Sequence, residues 1–384
     1  MEHLINPLVQ SIQISGIRRF FNMVSQHENV LSLTIGQPDF STPNHVKAAG
    51  KNAIDQNMTS YTHNAGMFEL REAAASFMDE QYDLAYDAQS EVIVTTGASE
   101  AIDVTLRTIL SSGSEVLLPG PVYPGYEPII RLCGAQPIHI DTTNTGFRLT
   151  ADLMEPYITE RTRCIVLPYP SNPTGMTLSA QELRDIALLL ENRDIFVLSD
   201  EIYSEFVFTG QHHSIASFPK MKEKTIVING LSKSHAMTGW RIGFLFAPAN
   251  ICRHILKVHQ YNVTCASSIS QSAALSALTT GKADPKMMKI QYEQRMNYVY
   301  NRLLKIGFDV EKPNGAFYIF PSIHKFHHSS FEFALELMEK AGVALVPGNA
   351  FSSFGEGYVR LSYAYASETL TKALDRIEQY MSSR

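Results

Sequence analysis

The sequence predicts an α/β fold, with a mostly parallel sheet in a large domain and a smaller α+β domain beside it. Three observations carry that expectation. From about position 90 to 248, short apolar runs alternate with helix-like spacing. After 248 the texture shifts to long helical stretches and a few short strand-like runs. The length of 384 residues also exceeds what one hydrophobic core ordinarily fills.

The strand-like runs fall at 91–96, 115–118, 137–141, 164–167, 195–199, 225–229 and 241–246. They are nearly continuous in apolar residues, as strands buried on both faces of a parallel sheet must be. Helix-like spacing occupies 99–110, 126–132 and 180–191 between them. Ligands of such sheets bind beyond the C-terminal strand ends, and the polar motifs of this chain sit mainly there. Beyond 248, residues 251–281 read as one long helix bridging the domains, and 284–304 as a second. A strand at 315–321, a helix at 330–341, strands at 343–347 and 358–363 and a helix at 368–381 complete an α+β module.

The composition is that of a globular enzyme, 45% hydrophobic and 18% charged. A net charge of −6 with scattered Lys and Arg leaves no basic footprint for nucleic acid or a membrane surface. Cys133, Cys164, Cys252 and Cys265 form no CxxC pair, so free thiols in a reducing cytosol are expected. The first residues lack signal-peptide character, and no apolar run approaches the roughly 18 residues of a membrane span. A cytoplasmic location is expected. His212-His213 and His327-His328 lie in polar, loop-like stretches with no acidic residue at ligand spacing, so no metal site is expected.

Chemistry concentrates in a few motifs. The run from Gly230 to Gly243 sets Lys233 between Ser232 and Ser234, with Arg241 eight positions later. Lysine amines condense with carbonyls, small neighbours admit an aldehyde-bearing cofactor, and the arginine can grip a phosphate; this is the chemistry of pyridoxal phosphate (PLP). Alone, the pair would read as a surface lysine beside a strand arginine. Asp200-Glu201-Ile202-Tyr203 closes an apolar strand, where Asp200 can either face a pyridine nitrogen or cap the next turn. Thr96-Gly97-Ala98-Ser99 ends a strand and opens a helix, which favours an anion; a plain N-cap by Ser99 is the alternative. Asn172-Pro173-Thr174-Gly175 is turn chemistry by itself, and Tyr123 and Arg360 could be a packing tyrosine and a salt-bridged strand arginine.

In this order the motifs resemble those of the class I aminotransferases of fold type I, a likeness that covers essentially the whole chain. The resemblance implies an N-terminal arm over 1–44 joining the small domain, a large PLP-binding domain over 45–280 and a small domain over 281–384. It makes Lys233 the covalent anchor and proton-transfer group, and Asp200 the partner of the pyridine nitrogen. Tyr203 and Asn172 would bond the cofactor's phenolic oxygen. Gly97, Ala98, Ser99, Ser232 and Arg241 would form a phosphate cup, with Tyr123 stacked on the ring. Gly36, Asn172 and Arg360 would hold the substrate carboxylate. Tyr61 would reach a phosphate across a homodimer interface, giving shared sites. One departure is Gly230, where some relatives carry a serine able to touch the phosphate.

The implied activity is ping-pong transfer of an amino group to a 2-oxo acid, 2-oxoglutarate. Within the family the likeness is to a group acting on N-acetyl-L,L-diaminopimelate in lysine biosynthesis. An aspartate or aromatic aminotransferase and a cysteine-conjugate β-lyase would use the same residues. Ser99 stands where one aspartate-specific branch has a lysine, so a dedicated aspartate pocket is not expected. Ile17, Tyr123 and the entry segment at 33–40 would line a roomier, less polar pocket; the alternative is that another cation, Arg18, substitutes for the missing lysine. A regulator built on this fold would need a DNA-binding segment, for which the chain has no basic run.

Overall fold

The computed structural model describes residues 1–24 and 29–383, with the side chain of Arg18 also outside the described set. Among the described residues twelve strands occur in chain order: β1 (Leu31–Ser32), β2 (Val92–Thr95), β3 (Glu115–Gly120), β4 (Gln136–Asp141), β5 (Thr162–Leu167), β6 (Phe196–Asp200), β7 (Thr225–Gly230), β8 (Gly243–Phe246), β9 (Tyr318–Ile319), β10 (Val343–Ala344), β11 (Val346–Pro347) and β12 (Val359–Ser362). Seven of them form one sheet in the order β2-β8-β7-β6-β5-β3-β4. Only β8 runs against its neighbours; β7, β6, β5, β3 and β4 pair in parallel.

Side-chain alternation explains why the strands are apolar throughout. Val116, Leu118, Cys164, Val166, Leu198 and Ile226 pack against the helix Ala98–Ile109 on one face. Leu117, Ile165, Leu167 and Val197 pack on the other, against the helix Ala180–Leu190. Successive residues of a strand point to opposite faces, so a sheet covered twice has no polar side to show. The helix Ala180–Leu190 starts at a capping box, in which Ser179 accepts from the Glu182 N–H at 3.2 Å and Glu182 accepts from the Ser179 N–H at 2.7 Å.

The smaller α+β module holds the helices Asp284–Ile306 and Ser367–Ser382 and the antiparallel sheet β11-β12-β9 around its own apolar cluster. The N-terminal segment joins it: β1 pairs in parallel with β10, and Asp39 receives a 2.8 Å hydrogen bond from Arg295 Nη1. Among the described residues no helix is long and apolar enough to cross a membrane.

Three sequence expectations change. Residues 251–281 are two helices, Ala249–Val263 and Ser268–Thr279, separated where Thr264 takes φ of 65°. The break frees the Thr264 carbonyl to accept from Asn64 Nδ2 at 2.8 Å, a tertiary bond that periodicity does not announce. The run 343–347 splits into β10 and β11, which belong to different sheets. The run 241–246 starts as a strand only at Gly243, because Arg241 sits in the left-handed region with φ of 53°.

Candidate active site

The C-terminal ends of the parallel strands open onto a cavity of about 650 Å³, and the small module and N-terminal segment close its far side. Its lining brings together Gly36, Ala98, Ser99, Tyr123, Asn172, Asp200, Tyr203, Ser232, Lys233, Arg241 and Arg360. Two expected residues lie elsewhere. Gly97 sits just behind the lining, and Tyr61 is 83% exposed on the surface.

Lys233 follows β7 in the short helix Leu231–Ser234, which turns its amine toward the cavity. Its Nζ donates to the Gly36 carbonyl at 2.7 Å. Burial first, then the charges of Arg360 and Arg241, pull this amine down to about 8, against an upward pull from Asp200. A lysine so placed is neutral often enough near neutral pH to act as nucleophile and base.

Asp200 ends β6 and faces the cavity, while Ser199 and Glu201 turn to the other side. Burial raises its pKa; the Tyr126 hydroxyl at 2.6 Å and the Ile202 N–H at 3.3 Å oppose that rise by stabilising the carboxylate. A cation beside it, such as a protonated ring nitrogen, would act in the same direction. Glu201 accepts from Ser199 at 2.8 Å and Ser214 at 2.5 Å and pairs with His212 at 2.9 Å. The expectation that the paired histidines lack acidic partners is thereby corrected: His212 meets Glu201, and His327 lies 3.8 Å from Glu332. Among the described residues no three metal-ligating side chains gather.

Arg360 on β12 is buried and fixed from several sides. Its Nη1 donates to Asn172 Oδ1 at 2.7 Å and its Nη2 to the Thr34 carbonyl at 2.6 Å. The rings of Tyr318 and Phe351 lie 4.5 and 5.0 Å from its guanidinium carbon. Nε is buried without a partner, an unspent donor. Because arginine only donates, Asn172 must turn its carbonyl oxygen to Arg360, leaving its NH₂ group free to donate elsewhere.

Gly97, Ala98, Ser99 and Arg241 meet at the start of the helix Ala98–Ile109, whose first N–H groups have no acceptor within the helix, and Ser232 lines the same cavity. Gly97, at φ of 79°, lets Arg241 press in; a Cβ there would stand 2.5 Å from Arg241 Nη2. Arg241 Nη1 donates to the Thr238 carbonyl at 3.1 Å, so the left-handed residue is held with its guanidinium against this helix start. At Gly230 an added Cβ would lie 3.2 Å from Ile202 Cδ1 and from the Ile242 carbonyl, so a serine there would be crowded. These features fit PLP: an anion cradle, a carboxylate for the ring nitrogen and a neutral-prone lysine line one cavity.

Sequence reasoning missed two tyrosines. Tyr126 lies three residues after Tyr123, a spacing that carries both to one mouth, with ring centroids 5.6 Å apart. Tyr318 pairs its hydroxyl with that of Tyr203 at 2.8 Å and packs on Arg360, contacts that no local pattern foretells.

Comparison with known proteins agrees with this geometry. Residues 28–377 match the family model described as aminotransferase class I and II. A Bacillus subtilis protein named a probable N-acetyl-LL-diaminopimelate aminotransferase is 63% identical over 381 residues, covering 99% of this chain and 96% of the relative. An aspartate aminotransferase of Pyrococcus abyssi is 41% identical, covering 98% and 96%. The crystal structure of an aromatic aminotransferase from Pyrococcus horikoshii superposes with a TM-score of 0.91 at 40% identity, covering 95% and 99%. The chain belongs to the class I and II aminotransferases, and is a PLP-dependent enzyme that moves amino groups from amino acids to 2-oxo acids.

Proposed function

We propose that the donor is a long α-amino acid, N-acetyl-L,L-diaminopimelate, and that its amino group passes to 2-oxoglutarate in a ping-pong cycle of lysine biosynthesis. The observation that carries the chemistry is convergence: Lys233, Asp200, Asn172, Arg241 and Arg360 line one cavity. Bound PLP supplies an aldehyde for the substrate amine and a protonated ring that takes up the electron pair left at Cα. The Lys233 amine anchors the cofactor and carries the proton away from Cα. Asp200, oriented by Tyr126, keeps the ring nitrogen protonated. Arg360, Asn172 and the Gly36 N–H grip the α-carboxylate, and Asn172 and Tyr203 donate to the phenolic oxygen. Tyr123 would lie against the ring, and Gly97, Ala98, Ser99, Ser232 and Arg241 would hold the phosphate.

The exposed Tyr61 is assigned to the phosphate of a second copy, which makes the enzyme a homodimer with shared sites. Mixing Lys233→Ala with an impaired Tyr61 variant should then restore some activity in heterodimers, and a fully active monomer would refute the sharing. The division into 1–44, 45–280 and 281–384 and a cytoplasmic location belong to the same reading.

The donor assignment draws on the name of the 63% identical relative and on the cavity rim. Ile17, Phe21 and Ile35 are apolar, and the described cations of the lining are Lys233, Arg241 and Arg360, all three already assigned. Aspartate therefore lacks a described partner for its second carboxylate. A missing charge-assisted contact is worth about 1.5–3 kcal/mol, or about ten- to a hundredfold in kcat/KM. The same apolar rim favours aromatic donors as a second reading. A half-reaction screen of N-acetyl-L,L-diaminopimelate, aromatic amino acids and aspartate, followed by the cofactor's absorbance, tests both; aspartate as clear best donor refutes them.

A further inference from the structure

Glu100 and His259 lie outside the cavity lining and take no part in the chemistry above. Glu100 sits in the first turn of the helix Ala98–Ile109, immediately after the phosphate cup. His259, on the helix Ala249–Val263, is 0% exposed. Its Nδ1 lies 2.7 Å from Glu100 Oε1 and its Nε2 lies 2.9 Å from the Asn64 carbonyl oxygen. A main-chain carbonyl only accepts, so Nε2 donates to Asn64, and Nδ1 shares a hydrogen with the Glu100 carboxyl group. Both groups are satisfied on both sides, since Glu100 Oε2 also accepts from the Thr96 N–H at 2.5 Å.

One buried carboxyl–imidazole hydrogen bond therefore joins Thr96, which leads into the cup, to Asn64, in the segment that carries Tyr61. The remaining bonds hold the same segment. Asn64 Nδ2 donates to the Thr264 carbonyl at 2.8 Å, and the buried Gln271 bonds the Met67 N–H at 2.7 Å and the Thr62 hydroxyl at 3.0 Å. A buried polar pair is a poor source of net stability compared with apolar packing, but removing one side of it leaves the other unsatisfied and is expensive.

We propose that Glu100 and His259 are positioning residues that couple a chain's own phosphate cup to the Tyr61-bearing segment that the chain offers to its partner. The proposal rests on the shared-site reading. Order imposed on the cup by a phosphate passes through Thr96, Glu100 and His259 to Asn64. By reciprocity, docking of the segment on the partner tightens the cup behind it.

The test uses the full-length holoenzyme and its apo form with His259→Gln and Glu100→Gln. Dissociation constants are measured for PLP and for pyridoxal, which lacks the phosphate, and amide exchange is followed over residues 61–66 and 95–99. The expected result is PLP affinity reduced about ten- to a hundredfold, with pyridoxal changed less than about twofold. Exchange should rise in both segments together, and the double variant should be no weaker than either single one, since each breaks the same pair. PLP and pyridoxal weakened alike, PLP affinity within about threefold of the parent, or faster exchange in one segment alone would overturn the proposal. Should His259→Gln fail to fold, the near-isosteric Glu100→Gln retains an acceptor for Thr96 and carries the same readouts. A Tyr61→Phe protein that binds PLP as tightly as the parent removes the shared site, whereas the exchange pattern still decides the coupling.

Discussion

The two walls of the cavity are built differently. The inner wall comes from the ends of the large sheet, with Ala98 and Ser99 after β2, Tyr123 after β3, Asn172 after β5, Asp200 on β6 and Lys233 after β7. The outer wall comes from Ser15, Ile17, Phe21 and residues 34–37 of the N-terminal segment, with Tyr318 and Arg360 from the small module. The inner wall offers charges and hydrogen bonds at fixed strand ends. The outer wall, Arg360 apart, offers apolar or neutral surface on another part of the chain. On the proposed reading, reaction type rests with the strand ends, and the choice among long donors mainly with the separate rim. Inner-wall changes should slow all donors alike, and rim changes should alter their ranking.

The largest effect is expected at Lys233. Lys233→Ala removes the proposed covalent anchor and proton-transfer amine together, so turnover should fall by more than the about 10²–10⁴-fold of acid–base catalysis alone. Retention of more than a few per cent of activity with any donor would break the assignment of the inner wall. Asp200→Asn should come next. The amide cannot pair by charge with a ring cation, so single-turnover rates should drop about 10²- to 10³-fold for all donors while PLP still binds. Unchanged rates, or a loss confined to one donor, would show that Asp200 is not the ring partner.

The same contrast explains what the sequence made legible. Inner-wall residues sit in contiguous motifs, because a strand end and the turn after it place several groups at once. Lys233 with Arg241, Asp200 with Tyr203 and Asn172 in its turn each stand in a local motif, but alone each reads as an ordinary surface, cap or turn residue, and only their joint order, like that of a known family, gives them roles. Tyr318 could not be read in this way, since its role arises from a hydroxyl contact with Tyr203 more than a hundred positions away. Tyr126 carried a usable signal in its spacing from Tyr123. The helix break at Thr264 carried little: no Gly or Pro marks it, and its local signal is the N-cap Ser267 of the second helix. Seven apolar runs sufficed for the large sheet, whereas the two-residue strands β10 and β11 were too short to separate by pattern.

A third test reads the electrostatics of the inner wall without turnover. Lys233 in the apo-protein titrates near 8 against an ordinary 10.5, so arylation by trinitrobenzenesulfonate, mapped to this residue by mass spectrometry, should have its midpoint near pH 8. Asp200 raises this pKa and Arg360 lowers it, so Asp200→Asn should shift the midpoint down and Arg360→Leu should shift it up. The sign for stability follows. Between 8 and 10.5 the unfolded chain binds the proton that the fold has released, so this group makes the apo-protein more stable as pH rises through that window. A midpoint at the ordinary lysine value would mean that the amine is solvated and its burial irrelevant.

The smallest effect, and the one that addresses the rim, belongs to Ile17. It lines the cavity and packs on the cluster of Phe147, Phe320, Val346 and Phe351. Ile17→Ala removes apolar surface that a long donor side chain can cover, at about 0.8 kcal/mol per buried methylene. For long or aromatic donors kcat/KM should fall several-fold to about tenfold. Alanine brings only a methyl group, so its kcat/KM should change less than about twofold. The ratio between donors is the informative quantity, since a general loosening of the protein would lower both values. Thermal unfolding of the variant separates the two causes, because Ile17 also contributes to packing. Equal losses for alanine and the long donors would assign Ile17 to the catalytic geometry and dissolve the distinction between the walls.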